Sequence, residues 1–277
     1  MALYRECGCE ALIEIGPGKW SITKLIQNIS DNFFVVDMDE KLIQNLEFRI
    51  QNSETKKNNL EIILWDILEV DMDKILFDKK LHSKKTLVAG NLPYYITSPI
   101  LRKFFSAWQN YAGGIFMVQD EVGQKVKIDA KKKSYLRWLL NFFYEVHYLK
   151  WVPAKCFKPA PKVKSCLIQL TTKSEQLTIE WNMFVEFLEL FAPFSRKTLG
   201  AIQTMVDKRS SSIHDEMIKA PSGRDKKPSA DKMIKAPSGC DEMIKFVIPE
   251  ELKKKRLEEL TRENIESIFA WISTSSE

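Results

Sequence analysis

The residues best suited to chemistry lie in Val88-Ala-Gly-Asn91-Leu92-Pro93-Tyr94-Tyr95-Ile-Thr97. Asn91 carries a side-chain oxygen and Leu92 a main-chain carbonyl, so two acceptors stand side by side. Pro93 fixes the backbone beyond them and has no N–H to satisfy. Tyr94 offers a flat face on which an unstacked base can lie, a contact worth ~1–3 kcal/mol. Such a set suits an exocyclic amino group of a nucleobase. That nitrogen is a poor nucleophile because its lone pair is delocalised into the ring. Two acceptors favour its pyramidal form and hold it in line with an incoming electrophile. The chemistry implied is transfer of a small group to the amino nitrogen of a flipped adenine.

A second group of residues supplies a place for the donor. Ala11-Leu-Ile-Glu14-Ile-Gly16-Pro-Gly18 is an apolar strand running into a glycine turn and then a helix. Glycines there let backbone N–H groups approach a ligand, and the helix start adds partial positive charge. Asp37, followed by Met38, ends a second apolar segment, where a carboxylate can accept both hydroxyls of a ribose. Asp66 follows a third in Leu64-Trp65-Asp66-Ile67. Glycine turn, ribose acid and adenine-side acid at successive strand ends describe a crevice at the carboxyl edge of a sheet.

The elements that must position these residues are legible as alternating short apolar runs and amphipathic stretches. The strand candidates are Ala11–Ile15, Phe33–Asp37, Leu60–Leu64, Thr86–Ala89, Gly114–Val118, Phe143–Trp151 and Val163–Leu170. Ile22, Leu25, Ile26 and Ile29 share one helical face, as do Ile100, Leu101, Phe104, Phe105 and Trp108, and both faces are expected to pack on the core. The pattern predicts an α/β fold: a Rossmann-like sheet with helices on both faces over residues 1–172. After Thr171 helical spacing takes over, in Trp181, Phe184, Val185, Leu188 and Phe191 and again in Ile265, Ile268, Phe269 and Ile272. Residues 173–277 are therefore expected to form a small all-helical second domain. Within it Asp215–Gly223 recurs as Asp231–Gly239 and begins once more at Asp241. The unequal spacing and few apolar residues rule out a solenoid, so 207–246 reads as a disordered insertion.

Composition sets the boundaries. With 277 residues and 44% apolar content the chain can bury a large core and a small one. A net charge of +5 suits a polyanion partner. The five cysteines form no CxxC pair and the three histidines are scattered, which argues against a metal and for a reducing cytoplasm. No apolar run approaches the ~20 residues needed to span a bilayer, so no membrane association is expected.

The same segments resemble those of the KsgA-type small-subunit rRNA adenine dimethyltransferases. Glu14-Ile-Gly-Pro-Gly18 is similar to the cofactor loop of that family, and Asn91-Leu-Pro-Tyr-Tyr-Ile-Thr-Ser-Pro99 to its catalytic loop nearly letter for letter. Phe116-Met-Val-Gln119-Asp-Glu121-Val, Val152–Ser165, Phe194-Ser-Arg196-Lys197-Thr-Leu199 and Leu257-Glu-Glu-Leu-Thr-Arg-Glu-Asn-Ile resemble its later motifs, in order. The resemblance implies S-adenosyl-L-methionine as cofactor and small-subunit rRNA as partner of a monomeric enzyme. It places Glu14, Gly16, Gly18, Asp37, Met38, Asp66, Ile67 and Asn91 around the cofactor. It makes Asn91, Leu92, Pro93, Tyr94 and Phe157 the catalytic set, with Phe157 on the second face of the adenine. Lys155, Lys158, Lys162, Lys164, Arg196 and Lys197 are the candidate phosphate contacts. Two other readings share these residues: a catalytically impaired rRNA-binding assembly factor, and a large-subunit rRNA adenine methyltransferase.

The chain departs from the resembling family in three ways. The stretch before Ala11 lacks its Gln-Asn-Phe-Leu motif, the 207–246 insertion is extra, and Trp20 and Trp65 stand where it has small residues. An indole at either place is expected to crowd helix–strand packing or the adenine pocket. Glycine is scarce, 10 residues against 7 tryptophans, and some bacterial lineages read UGA as glycine. The expectation is that both positions are UGA codons meaning glycine. Sequencing the gene tests this directly, and UGG at positions 20 and 65 contradicts it.

Overall fold

A computed structural model of the chain describes residues 2–51, 60–82, 85–105, 111–130, 135–157, 160–173, 181–194, 196–208 and 247–273. They group into two compact units, Met1–Glu175 and Gln176–Glu277. Trp108, Lys158 and residues 209–246, which hold almost all of the repeat segment, lie outside the described residues.

The first unit is built on a 7-stranded sheet in the order β3-β2-β1-β4-β5-β7-β6. Its strands are β1 (Ala11–Ile15), β2 (Asn32–Asp37), β3 (Leu60–Leu64), β4 (Thr86–Asn91), β5 (Gly113–Gln119), β6 (Tyr144–Val152) and β7 (Ser165–Thr172). The first five run parallel, while β7 is antiparallel to both β5 and β6. Every residue of β1 is buried, as a central parallel strand covered on both faces requires. From β1 the chain moves outward through β2 and β3, then returns to place β4 on the other side of β1. This reversal between β1 and β4 is where an open α/β sheet leaves a crevice beyond its strand ends.

The register at that point depends on a glycine. Ile15 pairs with Gly90, and a Cβ at Gly90 would lie 2.5 Å from the Ile15 carbonyl oxygen and 3.2 Å from its Cβ. Only a residue without a side chain lets β4 lie this close to β1.

The helices are α1 (Ala2–Glu6), α2 (Thr23–Ile26), α3 (Glu40–Gln51), α4 (Met72–Asp78), α5 (Thr97–Phe105), α6 (Asp120–Val126) and α7 (Tyr135–Phe143). Pro99 falls in the first turn of α5, where its missing N–H breaks no helical bond. Ile100, Leu101, Phe104 and Phe105 are buried as their spacing predicts. Of the face through Ile22, Leu25, Ile26 and Ile29, Ile26 and Ile29 pack against the core as expected and Leu25 does not. Helix α2 is only 4 residues long, Leu25 is 69% exposed, and Thr23 is the residue turned inward.

In the second unit α8 (Trp181–Phe191), α9 (199–208) and α10 (Arg262–Ser273) enclose an aromatic core. Phe187 stacks on Phe191 at 4.5 Å and meets Phe269 edge-on at 5.7 Å. An isolated bridge between Thr198 and Arg256 ties the start of α9 to the segment before α10.

Gly90→Ala is expected to lower stability by about 1–3 kcal/mol, because its methyl meets backbone rather than a yielding side chain. Thermal unfolding checks this, and an unchanged Tm would mean that β4 can shift away from β1 without cost.

Candidate active site

The carboxyl ends of β1, β2, β3 and β4 bring the sequence-predicted residues to one edge of the sheet. Gly16 follows β1 with φ at +66°, a left-handed conformation that glycine adopts freely. Its N–H donates to the Val36 carbonyl at 2.9 Å. A Cβ on Gly16 would stand 3.8 Å from the Asn91 carbonyl oxygen. The glycine turn after β1 and the loop that begins at Asn91 therefore abut. Gly18 also has positive φ, at +54°, with open space around it.

Asp37 and Asp66 are held by their own turns. One oxygen of Asp37 accepts from the Asp39 N–H at 3.0 Å, and one of Asp66 accepts from the Leu68 N–H at 2.8 Å. Each carboxylate keeps its second oxygen for a ligand. Lys103 on α5 secures the turn after Asp66 by donating to the carbonyls of Leu68 at 2.9 Å and Val70 at 2.6 Å. Met38 is 65% exposed beside Asp37, an apolar surface suited to a purine face. Ile67 turns its side chain into the core, so main-chain groups are what it offers a ligand.

Glu14 is the unusual member. It lies on fully buried β1, 1% exposed, and burial pushes its carboxyl up to about 7, an effect eased by the neighbouring Thr23 hydroxyl. By geometry Glu14 Oε2 and Thr23 Oγ1 are both buried without a hydrogen-bond partner. An orphaned carboxylate oxygen beside a glycine turn fits a ligand carrying a positive charge. That is the test a sulfonium and ammonium cofactor must pass, and these residues meet it.

Asn91 ends β4 opposite Met117, and the Leu92 N–H donates to the Met117 carbonyl at 3.0 Å. The Leu92 side chain is buried, which anchors the loop. Pro93 caps α5: its carbonyl accepts from the Ile96 N–H at 3.2 Å and the Thr97 hydroxyl at 3.0 Å. The Tyr94 phenol is hydrogen-bonded to the Ser165 hydroxyl at 2.6 Å. Tyr95 is 81% exposed.

Phe157 is half-buried in the loop between β6 and β7, its N–H donating to the Ala154 carbonyl at 3.1 Å. Lys155, Lys162 and Lys164 of that loop are exposed. In the second unit Arg196 and Lys197 are exposed too, but they occupy the turn before α9 rather than its first residues. Of these groups the structure joins Tyr94 to the end of the lysine-bearing loop through Ser165.

The two questioned tryptophans lie in different surroundings. Trp65 is 57% exposed and not wedged into packing. Trp20 has φ at +73°, which costs a side-chain-bearing residue roughly 1–2 kcal/mol. Its indole nevertheless packs with Leu3, Leu12, Phe33, Val35, Ile43, Leu46 and Leu87, and burial of that size is worth about 3–5 kcal/mol. At Trp20 the packing outweighs the strain, so the crowding of helix–strand packing expected there is not found.

The residues that sequence reasoning passed over are Ser165, Thr97 and Lys103, polar side chains that hold the site from outside it. Thr97 and Ser165 stood in quoted motifs without roles, and Lys103 carried no signal.

This strand order with these carboxyl-edge groups defines an S-adenosylmethionine-dependent methyltransferase. A model of the family described as "Ribosomal RNA adenine dimethylase" matches residues 9–235. The chain belongs to that family. It is 31% identical over 195 residues to the "Ribosomal RNA small subunit methyltransferase A" of Mycoplasma mycoides subsp. mycoides, covering 69% of this chain and 70% of that one. The protein of the same name from Aster yellows witches'-broom phytoplasma is 35% identical over 191 residues, 68% of each chain. A crystal structure of a dimethyladenosine transferase from Plasmodium falciparum shares the fold, with a TM-score of 0.69 at 17% identity over 99% of this chain and 95% of that chain. Among the described residues no helix is long and apolar enough to cross a membrane.

The Glu14 environment predicts a pH dependence. Below 4.5 the carboxyl is neutral in both folded and unfolded chains. As pH rises from there through about 7, the unfolded chain ionises this group while the fold resists, so its contribution to stability is lost across that window. A cationic ligand reverses the preference and releases a proton on binding. Affinity for S-adenosylmethionine is expected to rise from about pH 5.5 to about pH 7.5, and Glu14→Gln should flatten the profile. Calorimetric titration across that range checks it; a flat profile in the unaltered protein contradicts it.

Proposed function

We propose that this protein transfers methyl groups from S-adenosylmethionine to N6 of two adjacent adenines near the 3′ end of small-subunit rRNA, dimethylating each, during ribosome biogenesis. It acts as a cytoplasmic monomer on a precursor of the small subunit. The observation that carries this reading is the 3.8 Å approach between the Gly16 position and the Asn91 carbonyl. It supports a donor turn set against an amino-group clamp. The names of the relatives from Mycoplasma mycoides and the phytoplasma support the choice of small-subunit rRNA.

When bound, the cofactor supplies an electrophilic methyl group. Glu14 holds its positive end, Gly16 and Gly18 give its approach to backbone N–H groups, and Asp37 and Asp66 hold the ribose and adenine ends beside Met38 and Ile67. Asn91 Oδ1 and the Leu92 carbonyl accept hydrogen bonds from the target amino group, turning its lone pair toward the methyl. Tyr94 and Phe157 grip the two faces of the flipped adenine. No side chain need act as a base, since the nitrogen gives up its proton to solvent as the methyl arrives. Lys155, Lys158, Lys162 and Lys164, with Arg196 and Lys197 of the helical rRNA-binding domain, contact phosphates.

Asn91→Ala is expected to reduce methyl transfer at least about a hundredfold while RNA affinity stays within about twofold, because Asn91 acts on the transition state and the lysines act on phosphates. Single-turnover transfer of labelled methyl beside a filter-binding titration checks both. Near-normal transfer by Asn91→Ala contradicts the assignment.

A further inference from the structure

The reaction uses the face of Tyr94, and a phenylalanine would present the same face. The phenol therefore has a separate task. It reaches across 71 residues of sequence to Ser165, at 2.6 Å. Ser165 is 0% exposed and is the first residue of β7, paired on one side with Gln119 of β5 and on the other with Val152 of β6. The Asp120 N–H donates to the preceding Lys164 carbonyl at 2.9 Å. Ser165 is thus fixed by pairing on both flanks.

Tyr94 sits on a less constrained segment. Its loop is held on one side by the Leu92 N–H on Met117 and on the other by the two bonds to the Pro93 carbonyl. Between those anchors nothing in the backbone fixes the ring about its own side-chain torsions. A ring free to swing must be ordered when the adenine arrives, and that ordering opposes catalysis.

We propose that Ser165 is a positioning residue for methyl transfer, its hydroxyl holding the Tyr94 phenol so that the ring is set before the base enters. The same serine closes the loop that carries Phe157 and the lysines. One buried hydroxyl therefore coordinates the stacking ring with the loop that supplies the other face and the phosphate contacts. This inference rests on the reading of Tyr94 as the stacking residue.

The experiment is a double-mutant cycle on the full chain with Ser165→Ala, Tyr94→Phe and both together. It reads kcat and KM for unmethylated small-subunit particles, Kd for S-adenosylmethionine, and Tm. Each single change is expected to lower kcat about tenfold, with KM and Kd within about twofold, and the double variant should lose no more than either single one. Equal and independent losses that multiply in the double variant would overturn the proposal, as would an unchanged kcat in either single variant. Should Ser165→Ala fail to fold, Tyr94→Phe, which removes one hydroxyl and leaves the paired backbone of β7 untouched, carries the test alone through its kcat. Tyr94→Ala separates the two readings. If it retains normal transfer, the stacking role itself is wrong. If it loses transfer while Tyr94→Phe keeps it, stacking stands and the Ser165 proposal falls.

Discussion

Everything in the site depends on how closely β4 lies against β1. Their pairing places Ile15 beside Gly90, so the turn leaving one strand and the loop leaving the other start from adjacent points. The proposed donor site grows out of the first and the proposed acceptor clamp out of the second. A methyl group in flight spans only a few ångströms, and reaction geometry tolerates little error. Parallel pairing of two buried strands sets that spacing more firmly than a flexible loop can. The absence of a side chain at Gly90 is the local condition for it.

Charge enters this arrangement at a single buried point. Glu14 is buried on the strand that carries the glycine turn, at a cost to the fold that grows as the group ionises. The fold supplies it with no partner for Oε2, whereas Asp37 and Asp66 are steadied by their own backbone N–H groups. The outer acids are prepared for neutral hydroxyl and amino donors. The inner one is left wanting a cation. In the proposed reading, that difference would orient a cofactor with its positive charge at one end.

The strands were the most readable part of the fold, for a physical reason. Parallel strands covered by helices read as mostly apolar runs, and those of β1 and β3, each interrupted by one glutamate, begin and end where the sequence pattern does. Strand β4 runs on to Asn91, past the Ala89 at which its apolar run ends, because polar residues can pair in a ladder without signalling it. Leu25 was misplaced on the core face because a periodicity of isoleucines and leucines cannot reveal that α2 lasts one turn. The proposed chemistry of the site was legible since the roles read for Asn91, Leu92, Pro93 and Tyr94 belong to their own atoms. What positions them was not, because Ser165 and Lys103 reach the site only through the fold, from distant sequence. The accommodation of Trp20 was equally hidden: it turns on a core of residues from α1, two strands, α3 and the start of β4 that no local pattern assembles.

The central claim is that a clamp at the end of β4 delivers an adenine amino group to a donor held at the end of β1. Incubating the purified protein with labelled S-adenosylmethionine and small ribosomal subunits from cells lacking this modification tests it most directly. The rRNA is then digested and its nucleosides identified by mass spectrometry. The account predicts N6,N6-dimethyladenosine at two adjacent positions near the 3′ end of the small-subunit rRNA. Label on large-subunit rRNA instead, or no label despite measurable cofactor binding, would contradict it.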